Sequence, residues 1–79
     1  MKAREKRKIV ERCKIPHGRM SADIFELPCV HSAIKTNGGK LLYLIKEPHG
    51  IVYASGGDEL EREEDGTWHV VPEYEQQNR

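Results

Sequence analysis

The sequence predicts a small, mainly β domain, with an α+β arrangement as the alternative, for three reasons. The chain has 79 residues, which is the length of one domain. Dense apolar runs at 41–45 and 51–54 are each framed by turn residues. From residue 32 onward, Gly, Pro, Asn and Asp recur at the spacing of antiparallel strands. We expect a meander of four or five strands, forming a half-open barrel or packing against a short N-terminal helix.

Three segments divide the chain: a basic N-terminal helix or arm at 1–15, a small antiparallel β domain at 16–75 and a polar tail at 76–79. Strong helix formers between residues 2 and 14 favour a short helix, which Pro16 would end. The alternative is a strand over 8–15. Ser21 suits either the cap of a helical turn or a strand that continues to Leu27.

Two hairpins are predicted within the β domain. Asn37-Gly38 suits a two-residue turn, which would place Ile34 opposite Leu41 and Val30 opposite Ile45. The second hairpin needs a three-residue loop at 64–66, with Gly66 in the left-handed conformation. Its register has two cross-strand pairs on one face, Leu60 with Val70 and Arg62 with Trp68.

The predicted core is thin, because hydrophobic residues make up 37% of the chain and charged residues 33%. Glu47-Pro48-His49-Gly50 should reverse the chain between two of the core strands. The expected core residues are Ile34, Leu41 or Leu42, Tyr43, Ile45, Ile51 or Val52, Tyr53, Leu60, Trp68 and Val70, with Phe25 and Leu27 at one end.

Charge is segregated along the sequence although the formal net charge is zero. Residues 1–19 hold eight basic and two acidic side chains, whereas residues 20–79 hold five basic and eleven acidic ones. This asymmetry indicates an interacting segment. Opposite charges at the two ends also allow the chain to self-associate as a homo-oligomer.

The second hairpin is acidic between residues 58 and 65, and this acidic hairpin predicts a protein-binding surface. Its alternating glutamates share a face that must be solvated or opposed by a basic surface, and a nearby tryptophan would suit an anchor for a partner. The competing interpretation has this tryptophan packed inward with Leu60 and Val70. The predicted partner-binding residues are Glu59, Glu61, Glu63, Glu64 and Trp68.

The basic segment supports an alternative function, nucleic-acid binding, because clustered cations neutralise phosphates. It contains no aromatic residue, so base stacking would depend on Tyr43, Tyr53 or Trp68. A protein partner is favoured over nucleic acid, since the whole chain is not basic. The candidate nucleic-acid-binding residues are Lys2, Arg4, Lys6, Arg7, Lys8, Arg12 and Lys14.

Two thiols and two imidazoles give a further alternative, a small zinc-stabilised domain using Cys13, His17, Cys29 and His31. Their spacing matches structural zinc sites poorly, so we favour buried thiols that behave as small apolar residues, together with surface histidines. No cofactor is expected. A cysteine–histidine nucleophile would need an orienting group and an oxyanion site, neither of which the sequence indicates.

The longest apolar run has five residues, against about 20 for a membrane span. Two cysteines suit reduced thiols and a cytoplasmic location. The sequence therefore predicts a non-enzymatic binding or regulatory protein that contacts a macromolecule and no membrane.

Overall fold

A computed structural model describes residues 8–76 and confirms a mainly β fold with only short helices. Sheet 1 has the strand order β1-β5-β6 and sheet 2 has the order β2-β3-β4; both are antiparallel. Two sheets of three strands therefore replace the expected single meander of four or five strands. The elements are β1 (Ile9–Lys14), α1 (Ala22–Phe25), β2 (Val30–Lys35), β3 (Leu41–Glu47), β4 (Gly50–Ala54), β5 (Glu59–Glu63), β6 (Trp68–Val71) and α2 (Glu73–Gln76).

The preferred helix near the N-terminus is wrong, because residues 9–14 form strand β1 beside β5. Exposure alternates along β1 with the period of two that a strand requires. Tertiary pairing with the acidic β5 overrides the helix propensity of the lysine, arginine and glutamate residues. Residues 1–7 and 77–79 lie outside the described residues, and with them nearly half of the predicted arm and most of the predicted polar tail.

The first hairpin differs from its predicted register by one residue. Thr36 and Lys40 close a three-residue loop, in which Gly39 adopts a φ of 86°, and Ile34 lies opposite Leu42. A bulge between Val30 and Ser32 then restores the expected pairing of Val30 with Ile45. The positive φ that the turn requires falls on Gly39 rather than on Asn37-Gly38, which shifts the register.

The second hairpin has the predicted register. Leu60 pairs with Val70 and Arg62 with Trp68, and Gly66 has a φ of 95°. The chain also reverses at Glu47–Gly50 as expected, since these two residues pair at the end of β3 and β4.

The core lies between the two sheets. The expected residues Tyr43, Ile45, Leu60 and Trp68 are buried, and Leu41, Val52, Val70 and Leu27 pack against them. The prediction was wrong for Ile34 and Tyr53, which are exposed. The shifted register turns Ile34 away from the core, and alternation on β4 does the same for Tyr53. Phe25 is 39% exposed but contacts the buried Tyr43 at the end where it was expected. Cys29 is buried as expected, and three buried residues that were not predicted complete the core: Ile15, Ile24 and Ala54.

Helix α1 closes one end of this core. The Ser21 hydroxyl oxygen accepts a hydrogen bond from the Ile24 N–H at 3.4 Å, which confirms the capped helical turn. The Ser21 N–H donates to the Tyr43 hydroxyl at 3.0 Å, so the phenolic oxygen of this buried ring has a partner. Phe25 packs edge-on against the same ring, at a centroid distance of 5.8 Å.

Among the described residues, no helix is long and apolar enough to cross a bilayer.

Candidate binding surfaces

The predicted acidic surface lies on the outer face of sheet 1, where strand β1 brings basic residues against it. Arg12 lies opposite Glu61 and Lys14 opposite Glu59. The Arg12 Nε donates to the Glu61 carboxylate at 3.0 Å, and Glu61 is only 8% exposed. The alternative in which a basic surface opposes these glutamates is therefore the one observed.

The rest of the acidic hairpin is also largely engaged within the chain. The Glu63 carboxylate contacts the His69 ring. The Asp65 carboxylate accepts hydrogen bonds from the Thr67 N–H and hydroxyl, which lower the pKa of Asp65. Glu64 is exposed.

Trp68 cannot serve as the predicted partner anchor, because it is only 6% exposed. It belongs to the core cluster together with Leu60, and Val70 packs against that cluster. The competing interpretation, in which the tryptophan packs inward, is correct. A core this small places its largest side chain between the sheets, where it excludes most apolar area from water.

The basic residues predicted to bind nucleic acid are only partly described. Lys2, Arg4, Lys6 and Arg7 lie outside the described residues. Lys8, Arg12 and Lys14 are exposed on or beside β1. Since β1 runs next to the acidic β5, these described cations share their surface with carboxylates. Of the tyrosines and tryptophan considered for base stacking, only Tyr53 is exposed, because Tyr43 and Trp68 are buried.

The four candidate metal ligands are not brought together. Among the described residues, no group of three or more His, Cys, Asp or Glu side chains is placed to hold a metal ion. His31 is exposed on β2 with its ring 3.0 Å from the Ser32 hydroxyl, and His17 lies 3.5 Å from Glu73.

Both thiols are less acidic than a free cysteine side chain. Desolvation by burial raises the pKa of Cys29 from 9.0 to about 11 and is also the main reason that the pKa of Cys13 is raised. A raised pKa lowers the fraction of each side chain that is thiolate at neutral pH, and the thiolate is the form that reacts and coordinates metals. Cys29 belongs to the core cluster and Cys13 packs against it, as expected for small apolar side chains.

A wide cleft that the sequence did not predict opens between the loops at one end of the molecule. Its volume is about 1190 Å³. The loop after β1, the β2–β3 hairpin, the end of β4 and the start of α2 all contribute to its lining. Its lining includes charged, aromatic and large apolar side chains, namely Arg19, Met20, Lys35, Lys40, Tyr53, Asp58, Glu73 and Tyr74.

Close backbone packing holds one side of this cleft. A Cβ atom at Gly56 would lie 2.8 Å from the Cα of His17 and 2.9 Å from the carbonyl oxygen of Pro16. Only glycine allows the β4–β5 turn to approach the loop after β1 this closely. Hydrogen bonds from the Ile15 N–H to the Asp58 carbonyl oxygen, and from the Gly57 N–H to the Ile15 carbonyl oxygen, extend the pairing of β1 with β5 to this point.

The outer face of sheet 2 is a second surface that was not predicted from the sequence. Register and alternation put its members on the side opposite the buried Tyr43 and Ile45. No described element covers this face, whose three flanking members Ile34, Ile51 and Tyr53 are 44%, 49% and 63% exposed. The full set is Ser32, Ile34, Leu42, Leu44, Lys46, Ile51 and Tyr53.

One signal for this face was present in the sequence. Leu41 to Ile45 is apolar at every position, whereas a strand with one solvated face alternates. Such a run indicates a central strand with two apolar faces. The cleft left no comparable signal, because its residues come from four separate segments of the chain.

Comparisons with protein-family models, with curated proteins and with solved structures found no match to this chain.

Proposed function

We propose that this chain is a non-enzymatic binding protein that docks an apolar, acidic segment of a protein partner on the outer face of sheet 2. The observation that carries the proposal is a contiguous apolar face, on three paired strands, that no described part of the chain covers. Exposed apolar patches of this kind mark interaction surfaces, because covering them removes apolar area from water.

The chemistry of the face favours a protein over nucleic acid. Four of its seven side chains are aliphatic, and Tyr53 is its only aromatic residue. Aliphatic side chains pack against the apolar residues of another protein, whereas unpaired bases need aromatic rings to stack on.

The charge of the face favours an acidic partner. Lys46 lies on it opposite Ile51, and the face includes no acidic side chain. The acidic hairpin of this chain, by contrast, is already opposed by β1. An incoming carboxylate would therefore meet an uncompensated cation beside apolar side chains.

The test is affinity capture from the native cell extract with the full chain and two matched variants. Ile51→Asp places a like charge against the acidic partner, and Val10→Asp makes the same change at a comparably exposed valine, 43%, on β1. We expect one protein, with an acidic and apolar segment, to be captured by the wild-type chain and by Val10→Asp but not by Ile51→Asp. Nuclease treatment should not change the result.

Two results would contradict the proposal. Equal capture by both variants would show that the partner binds elsewhere. Sedimentation of the purified chain as a dimer that Ile51→Asp dissociates would show that a second copy, rather than another protein, covers the face.

A further inference from the structure

We propose that the cleft at the end of the molecule is a second binding site, and that it takes single-stranded nucleic acid. The ligand differs in class from the protein segment proposed for the outer face of sheet 2. Three observations carry the inference: the cations of the cleft that form no ion pair within residues 8–76, its exposed aromatic rings and its size.

The cations of the cleft are available for a ligand. Arg19, Lys35 and Lys40 come from the loop after β1 and from the two sides of the β2–β3 hairpin, and all three are exposed. Within residues 8–76, none of the three forms an ion pair. Cations that converge on an open cleft without an anionic partner are suited to phosphate groups.

The acidic groups of the same cleft are engaged by the protein itself. The two carboxylate oxygens of Asp58 accept hydrogen bonds from the backbone N–H groups of Ser55 and Glu73, at 2.9 and 3.0 Å. The Glu73 carboxylate lies 3.5 Å from the His17 ring. These contacts fix the positions of the two carboxylates but do not remove their charge, so the three cations of the cleft exceed its two carboxylates by one positive charge.

The exposed aromatic rings distinguish a nucleic acid from other anions. Tyr53 on β4, which the cleft shares with the outer face of sheet 2, is 63% exposed. Tyr74 on α2 is 70% exposed and lines only the cleft. Unpaired bases stack on such rings without sequence preference, while the phosphates follow nearby cations. In a duplex the base faces are already stacked on one another, so the tyrosine rings could not stack on them.

The size of the cleft fits a polymer segment better than a small molecule. Its 1190 Å³ exceeds the roughly 300–1,000 Å³ of ordinary small-molecule pockets. It is also open, and the cations and tyrosines that line it come from separate elements of the chain. A single strand can therefore contact several of them at once.

The experiment measures fluorescence anisotropy of a labelled oligothymidylate of about twelve nucleotides with the full chain. A duplex of equal length and polyglutamate are the competitor probes. Tyr74→Leu removes the ring but keeps an apolar side chain, whereas Tyr74→Phe keeps the ring. Lys35→Gln with Lys40→Gln removes two cleft cations, and Lys46→Gln on the outer face of sheet 2 is the matched control. Circular dichroism verifies that each variant is folded.

We expect the oligothymidylate to bind, and Tyr74→Leu to weaken it roughly 5- to 100-fold while Tyr74→Phe stays near wild type. The double lysine variant should make the slope of log affinity against log salt shallower by about 1, while Lys46→Gln leaves it unchanged.

Three outcomes would overturn the proposal. Absence of oligothymidylate binding is one. Equal binding by Tyr74→Leu and the wild type would assign the affinity to other cations of the chain, such as Lys2 to Arg7, rather than to the cleft. Stronger competition by polyglutamate or by the duplex than by unlabelled oligothymidylate would assign the cleft to an acidic peptide or to double-stranded DNA.

Discussion

Sheets 1 and 2 have the same number of strands and the same antiparallel pairing, but their outer faces have opposite chemistry. On sheet 1, cations of β1 lie across from carboxylates of β5, and Arg12 reaches Glu61 at 3.0 Å. On sheet 2, the outer face is largely aliphatic, with Lys46 as its only charged member. Among the described residues, cross-strand pairing thus compensates part of the charge segregation that dominates the sequence, since Arg12 and Lys14 lie opposite Glu61 and Glu59. The uncovered surface lies on the other sheet, where charged side chains are few.

The difference shows why charge runs alone locate binding surfaces poorly. A basic and an acidic segment in one chain are each other's nearest partners, and a strand pair gives both a fixed geometry. An aliphatic face has no such partner within the described residues, because the two inner faces already fill the core. Four predictions test this contrast between the sheets.

The largest expected difference in the free energy of unfolding is between a variant of a core residue on sheet 1 and a variant of an outer-face residue on sheet 2. Leu60 is fully buried, so Leu60→Ala should lower the free energy of unfolding by about 2–5 kcal/mol through lost contacts and a cavity. Ile51→Ala should lower it by less than about 1 kcal/mol, because Ile51 is half-exposed. Urea denaturation measures both, and losses of equal size would show that the outer face of sheet 2 is packed like a core.

The second prediction compares the two thiols, of which Cys13 lies on β1 of sheet 1 and Cys29 directly precedes β2 of sheet 2. Cys29 keeps its proton up to a pKa of about 11 in the folded chain, whereas the unfolded thiol loses it near 9.0. Between these values the unfolded state binds fewer protons, so the free energy of unfolding should fall as pH rises.

Cys29→Ala should remove most of this decrease and Cys13→Ala less, because Cys13 is only partly buried. Denaturation at several pH values between about 8 and 11 measures it. A decrease of the same size in Cys29→Ala and the wild type would mean that other groups cause the pH dependence.

The third prediction compares two ion pairs of sheet 1. Arg12→Met removes the charged hydrogen bond of the buried Glu61, and we expect a loss of about 1–2 kcal/mol. Glu11→Gln breaks a pair with Arg62 whose side chains are 40% and 36% exposed, so less than about 1 kcal/mol should be lost. Thermal or urea unfolding distinguishes the two, and the reverse order would refute the role assigned to β1 in compensating β5.

The smallest expected effect concerns the hairpin turn of each sheet. Gly39 and Gly66 have φ values of 86° and 95°, and a Cβ at either would meet no atom within 4 Å. Strain at positive φ is then the only cost, so each change to alanine should lower stability by about 1 kcal/mol. A clearly unequal pair of values would show that one turn carries a further constraint.

Much of the fold followed from local chemistry. Gly66 fixed the register of the second hairpin, because only one placement of a left-handed residue suits a three-residue loop after Glu63. The reversal at Pro48 and the capped turn at Ser21 depend equally on residues within a few positions of each other. These features could be read from the chain because the groups that cause them are neighbours in sequence.

Tertiary structure decided the rest. Residues 9–14 became a strand because β5, about fifty residues away, offered a complementary edge and complementary charge. The cleft had no local signature, since it joins side chains from four segments, and the uncovered face of sheet 2 had only the apolar run at 41–45. The sequence by itself determined the β class, the turns and the supply of charged and apolar groups. Long-range pairing decided which groups satisfy one another and which remain for a ligand, because that choice depends on contacts between residues far apart in the chain.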